Sequence, residues 1–183
     1  MVITTIVKPT GVSVGNEARR QLLRPTFGPE GRLFFPDERA GTPGVGGAPG
    51  GRGGTALVSV KSDGSDKQTH LTFPAADEMV PSPDGQYVAF QEGDNVYLTT
   101  LAWNGTGATP LGVEKRRGAF PVTQLSRDGG IFPRWRDRNT LEWGSGNRFF
   151  VYHVDTKRAD TVTFSVSVPR AVPTGTVAIP ERD

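Results

Sequence analysis

At 183 residues the chain is long enough for one domain, and 21 basic against 19 acidic residues leave a formal net charge of +2. That balance sets up no strong field for nucleic acid or for a membrane surface. The absence of cysteine excludes disulfides and thiolate chemistry, and 24 glycines with 15 prolines and no long amphipathic run point to short strands joined by turns.

The N-terminus, Val2–Val7, reads as a strand, followed by a turn at Lys8–Gly11. It lacks the basic region and small-residue cleavage site of a signal peptide. No stretch approaches the ~18 consecutive apolar residues of a spanning helix, so no membrane span is expected. Asn16–Leu23 is the best helical candidate, though it is short enough to be extended instead.

From about Leu23 the chain repeats. Pro25–Phe35, Val80–Phe90 and Pro133–Trp143 each carry a polar turn followed by an apolar strand, anchored on Gly31, Gly85 and Asn139 at a constant spacing of 54 residues. In the middle copy Pro83 presets φ, Asp84 can bond its own backbone, and Gly85 fits a left-handed position. Asn139 fills the glycine slot as the other residue that tolerates that conformation. Each copy contains a second β-rich run ending in a polar turn: Thr55–Val60, Asn95–Leu101 and Arg148–Val154. Self-similarity at a fixed period marks a repeat architecture. The expectation is an all-β partial β-propeller of about three four-stranded antiparallel blades, at about 23–74, 75–127 and 128–167. A lead-in covers 1–22 and a linker toward a missing domain covers 168–183.

Several motifs invite chemistry and read better as structure. In the Gly-rich stretch Ala40–Gly54, Gly46, Gly51 and Arg52 imitate a phosphate-binding loop. Arg52 stands where lysine is needed, Gly53 replaces the Ser/Thr that holds Mg²⁺, and no helix follows, so the stretch reads as a flexible loop insertion. A second insertion, Gly112–Ala119, precedes the last strand of unit two, Pro121–Leu125; its Lys115-Arg116-Arg117 run reads as solvated charge. Asp63, Asp66 and Asp84 sit in turns without the spacing of a calcium loop. Ser126–Gly130 partly imitates an Asp-box and reads as an inter-blade turn. Gly144-Ser145-Gly146 lacks the spacing of a nucleophile elbow.

The two histidines, His70 and His153, lie in different units, so no metal-ligand cluster is apparent. On Arg148–Val154, Phe149, Val151 and His153 share one face and Phe150, Tyr152 and Val154 the other. That pattern predicts a strand sandwiched between layers. Trp135 and Trp143, flanked by Arg134, Arg136 and Arg138, could stack on a ligand or form core beneath surface arginines. The candidate ligand or interface residues are therefore Trp135, Trp143, His153, Arg134 and Arg136; the structural turn residues are Gly31, Pro83, Asp84, Gly85 and Asn139. No catalytic or metal-binding residue is assigned.

Leu71-Thr72-Phe73-Pro74 together with Val80–Phe90 resembles the Pro-Asp repeat of TolB-like β-propellers. The ordered set Arg24–Leu33, Gln91–Tyr97 and Leu125–Asp137 is similar to the propeller that precedes the catalytic domain in a group of bacterial amidohydrolases, and Val168–Ala178 looks like the junction into that domain. The resemblance spans about residues 22–178. It implies a non-catalytic scaffold or protein-interaction module, or alternatively part of a metal-dependent amidohydrolase whose chemistry lies beyond this chain. Zinc or another divalent metal would belong to that parent, and this chain would hold no cofactor. A periplasmic or secreted parent is implied likewise. The expected partners are proteins: the rest of the propeller, a catalytic domain, or a second copy. Propellers have roughly four to eight blades, so three units do not close a ring, and two copies could complete a six-bladed one.

Overall fold

The structure is a computed structural model that describes residues 24–37, 54–101, 110–115 and 120–167. The expected strand Val2–Val7, the helical candidate Asn16–Leu23, nearly all of the Gly-rich stretch, residues 116–119 of the second insertion and the linker from 168 onward lie outside the described residues. Within them the protein is all-β, built as three sheets with the antiparallel meander of propeller blades and no closed barrel.

The first sheet contains β1 (Thr26–Phe27), β2 (Leu33–Asp37), β3 (Thr55–Val60) and β4 (Gln68–Phe73). The second contains β5 (Ala76–Pro81), β6 (Tyr87–Glu92) and β7 (Asn95–Thr100). β8 (Leu111–Gly112) then leaves this unit, and β9 (Val122–Gln124) completes the second sheet. The third is β10 (Ile131–Trp135), β11 (Thr140–Ser145), β12 (Arg148–His153) and β13 (Arg158–Thr163) in simple order.

The second insertion departs from the sequence expectation. Leu111 and Gly112 pair in parallel with Leu71 and Thr72 of β4, so a piece of unit two closes the outer edge of sheet one. Val113 follows, buried, its N–H bonded to the Thr72 carbonyl at 2.8 Å. Lys115 is not simply solvated: it sits 2.7 Å from Glu92 and over the Tyr97 ring.

Alternation on the strands decides which sheet faces which. Phe34, Leu57, Leu71 and Phe73 of sheet one meet Met79, Val88, Phe90 and Tyr97 of sheet two. Ala89, Val96 and Leu98 from the other face of sheet two meet Leu141, Trp143 and Tyr152 of sheet three. Sheet two is thus apolar on both faces, and the sheets stack through two interfaces. The outer face of sheet one is also closed, with Phe35, Ala56, Val58 and Val60 all buried. Sheet three differs. Phe149, Val151 and His153 on β12 are only partly buried, and every residue of β13 is exposed. The expected sandwich around Arg148–Val154 is therefore one-sided, because among the described residues no further layer covers that outer face.

The repeated turns share a position and not a conformation. In sheet one Glu30 and Gly31 both have positive φ, 57° and 66°; in sheet two Gly85 alone does, at 71°. Asn139 is not left-handed, contrary to expectation. Its N–H instead donates to Asp137 Oδ1 at 2.8 Å, while its Oδ1 accepts from the Asp155 N–H at 3.0 Å. Those local bonds shape the turn without positive φ. The closing bond also differs: Gly28 N–H to Arg32 O and Arg136 N–H to Thr140 O span the same interval, whereas Ser82 N–H reaches Tyr87 O, one residue wider.

Candidate functional site

Asp84 and its neighbours serve the turn. Asp84 Oδ1 accepts from the Ser82 hydroxyl at 2.6 Å and from the Gln86 N–H at 3.2 Å. Gly85 lies against Pro29 of the preceding turn, which leaves no room for a Cβ. Ser126, in the segment that imitated an Asp-box, accepts from the Val96 N–H at 2.9 Å and bonds Asn95 Oδ1, tying β7 to the inter-sheet turn. A groove of about 570 Å³ opens beside these turns, between Asp84, Gln86 and Tyr87 of sheet two and Arg138, Asn139 and Lys157 of sheet three. Its rim carries both signs of charge, and Asn139 is already engaged.

The five candidate ligand or interface residues separate onto two faces of sheet three. Trp143 is 1% exposed and stacks on Phe150 at 5.3 Å in the interface with sheet two. Trp135 belongs to the same interface: its Nε1–H donates to the Val80 carbonyl at 3.0 Å, and its ring stacks on Tyr87. Both tryptophans are core, the second with its polar end satisfied by the neighbouring sheet. Arg134, Arg136 and His153 point to the outer face. There Glu142, 0% exposed, accepts from Arg134 Nε at 2.8 Å and Nη2 at 2.7 Å, and Arg136 closes on its other oxygen. A fully buried carboxylate demands such partners, and two otherwise exposed arginines provide them. His153 Nε2 lies 3.6 Å from Asp160 on β13.

Register defines this outer face row by row. Arg134, Glu142, Val151 and Asp160 are successive cross-strand neighbours from β10 to β13, and Gly144, Phe149 and Val162 form the next row with Ile131 at its β10 end. Ile131 and Val162 are large exposed apolar residues. The face is thus an apolar strip with Arg134 and Arg136 on the β10 side and the exposed Asp160 and Arg158 on the β13 side. Such a surface is suited to covering by another layer.

Two further clusters were not singled out in the sequence. On sheet one, Arg32 Nε donates to Ser59 Oγ at 2.8 Å, Arg32 Nη1 pairs with Asp66 at 2.8 Å, and Ser59 Oγ lies 2.8 Å from His70 Nε2. Burial first, then the Arg32 charge, pushes the His70 pKa down to about 4, so the ring is neutral at pH 7. The Ser–His contact resembles a nucleophile–base pair, but Ser59 is 0% exposed and no substrate can reach it. Asp66, held low chiefly by its bond from Arg32, faces the arginine across the network. The cluster is structural.

The second cluster joins the first strands. Arg24 Nη1 pairs with Glu78 at 3.1 Å, and the Arg24 guanidinium lies 4.1 Å from the centroid of Phe132. Burial raises the Glu78 pKa, with Arg24 opposing. Phe132 is exposed at φ 58°, an unusual conformation for an aromatic residue, and sits at a register shift between β10 and β11. The three residues are spaced by 54, the repeat period, and that spacing was the signal that could have found them.

Among the described residues no three of His, Cys, Asp or Glu assemble as a metal site, and no helix is long and apolar enough to cross a membrane. No family model, curated protein or solved structure matches the chain.

Proposed function

We propose that this chain is a non-catalytic β-propeller section acting as a scaffold or protein-interaction module, with the outer face of sheet three as its contact surface. One observation carries the reading. Sheets one and two have both faces closed, while sheet three presents Ile131, Phe149, Val151 and Val162 on a face that no described layer covers. The kinship with TolB-like propellers of amidohydrolases belongs to the same proposal, and the three meandering sheets support it. In such a parent the section would position neighbours and leave hydrolysis to another domain. The test is a hydrolase screen of the purified chain with ester, amide and lactam substrates, with and without added Zn²⁺ or Mn²⁺. No turnover above buffer is expected; turnover abolished by a chelator would overturn the non-catalytic reading.

A further inference from the structure

Resting on the reading of sheet three as a contact surface, we infer that its occupant is the same face of a second copy, related by a two-fold axis parallel to the strands. A six-bladed ring made head to tail from two copies needs the outer face of sheet three to meet the outer face of sheet one. Phe35, Ala56, Val58 and Val60 are already buried, so that acceptor is closed. Face-to-face association through the open face of sheet three is then sheet three on sheet three, an isologous contact.

The face is complementary to itself in one orientation. A two-fold parallel to the strands lays β10 over β13 of the second copy, and β11 over its β12. Arg134 then faces Asp160 of the second copy in the same row, and Ile131 faces Val162. Asp160 has a side chain 77% exposed and Arg134 one 69% exposed, so the acid can add to the pairing with Glu142 that Arg134 already makes, where Arg134 and Arg136 together outnumber that one carboxylate. Phe149 lies over Gly144 of the second copy, where a Cβ would meet nothing within 4 Å. Ring and gap therefore match at the centre of the contact. A two-fold perpendicular to the strands keeps each strand over itself: an axis through this row sets Arg134 against Arg134 and Asp160 against Asp160, and one between the rows sets these charges against Ile131 and Val162. In the favoured orientation one kind of like-charged pair remains, Arg136 opposite Arg158, repeated twice by the symmetry, at a rim where both are exposed.

Size sets the strength. Six residues at ~3.3 Å by four strands at ~4.8 Å give a face of roughly 400 Å² per copy, about half a standard interface. A contact that small belongs with weak, transient associations, so concentrations of tens of micromolar and above are where it is sought.

Sedimentation equilibrium of the whole chain over 1–200 µM is the test. A monomer–dimer equilibrium is expected, with the dimer at twice 19.6 kDa. Asp160→Arg should weaken it at least tenfold, and Val162→Lys should abolish it, with circular dichroism unchanged. Orientation is read by cross-linking with a ~10 Å bis-maleimide, since the chain has no cysteine of its own. A mixture of Ile131→Cys and Val162→Cys chains should give a covalent dimer, and neither variant alone should. A chain monomeric to 200 µM, a dimer indifferent to both surface substitutions, or cross-linking by Val162→Cys alone would each overturn the inference. None of these outcomes touches the hydrolase screen, so the broader reading fails or stands separately.

Discussion

Gly31 and Gly85 hold the same place in two copies of one turn, with φ of 66° and 71°. Alanine at either must adopt a left-handed backbone, at about 1–2 kcal/mol. Their surroundings differ. A Cβ at Gly31 meets nothing within 4 Å, whereas one at Gly85 would lie 2.3 Å from Pro29 Cγ and 3.1 Å from Pro29 Cβ. The pyrrolidine ring cannot swing away as a flexible side chain would, so the turns themselves must separate. Overpacking of that kind costs about 1–3 kcal/mol. Gly85→Ala should therefore be less stable than Gly31→Ala by about 1–3 kcal/mol. At roughly 2–4 °C per kcal/mol for a chain this long, the melting temperatures should differ by several degrees. Urea melts with matched slopes give the free energies directly. Adding Pro29→Ala to Gly85→Ala should recover part of the loss and do little for Gly31→Ala. Equal destabilisation of the two single variants would refute the packing of one turn on the next.

Two further outcomes test the polar networks. His70 titrates near 6.5 when unfolded and at about 4 when folded. The unfolded chain therefore binds the extra proton as pH falls, and stability drains away between about pH 6.5 and 4, by at most about 3 kcal/mol. His70→Gln should flatten the pH dependence in that window relative to the parent; an unchanged slope would contradict a buried neutral imidazole. On the outer face of sheet three, Glu142 is buried while Arg134 and Arg136 are mostly exposed. Removing both arginines strands a buried charge and should cost about 3–5 kcal/mol, more than Glu142→Leu, which leaves two guanidiniums free to face water. Chemical denaturation of the two variants compares them, and the reverse order would contradict the burial of Glu142.

What the sequence could reveal depended on distance along the chain. The 54-residue spacing exposed the turns at Gly31 and Gly85 and the β-rich runs, because turn residues and apolar alternation are local signals. It misjudged Asn139, whose turn is shaped by Asp137 and Asp155 rather than by a left-handed residue. The pairing of Leu111–Gly112 with β4 was not legible, since parallel neighbours from different units leave no local pattern. Periodicity made both faces of Arg148–Val154 look buried. It reports apolarity and not whether a layer is present to cover it. Ser59, Arg32, Asp66 and His70 meet across two strand connections and carry no motif. Arg24, Glu78 and Phe132 were within reach of the repeat, but three different side chains at one repeat position do not advertise a contact.

Among the described residues the stack of three sheets ends open at sheet three and closed at sheet one. Hydroxyl-radical footprinting read by mass spectrometry, at concentrations below 1 µM where a weak contact of this size is dissociated, measures both ends in one sample. The account predicts ready oxidation of Phe149 and Phe132, with Phe35, Phe73 and Trp143 protected. Protection of Phe149 equal to that of Phe35 at such dilution would contradict it.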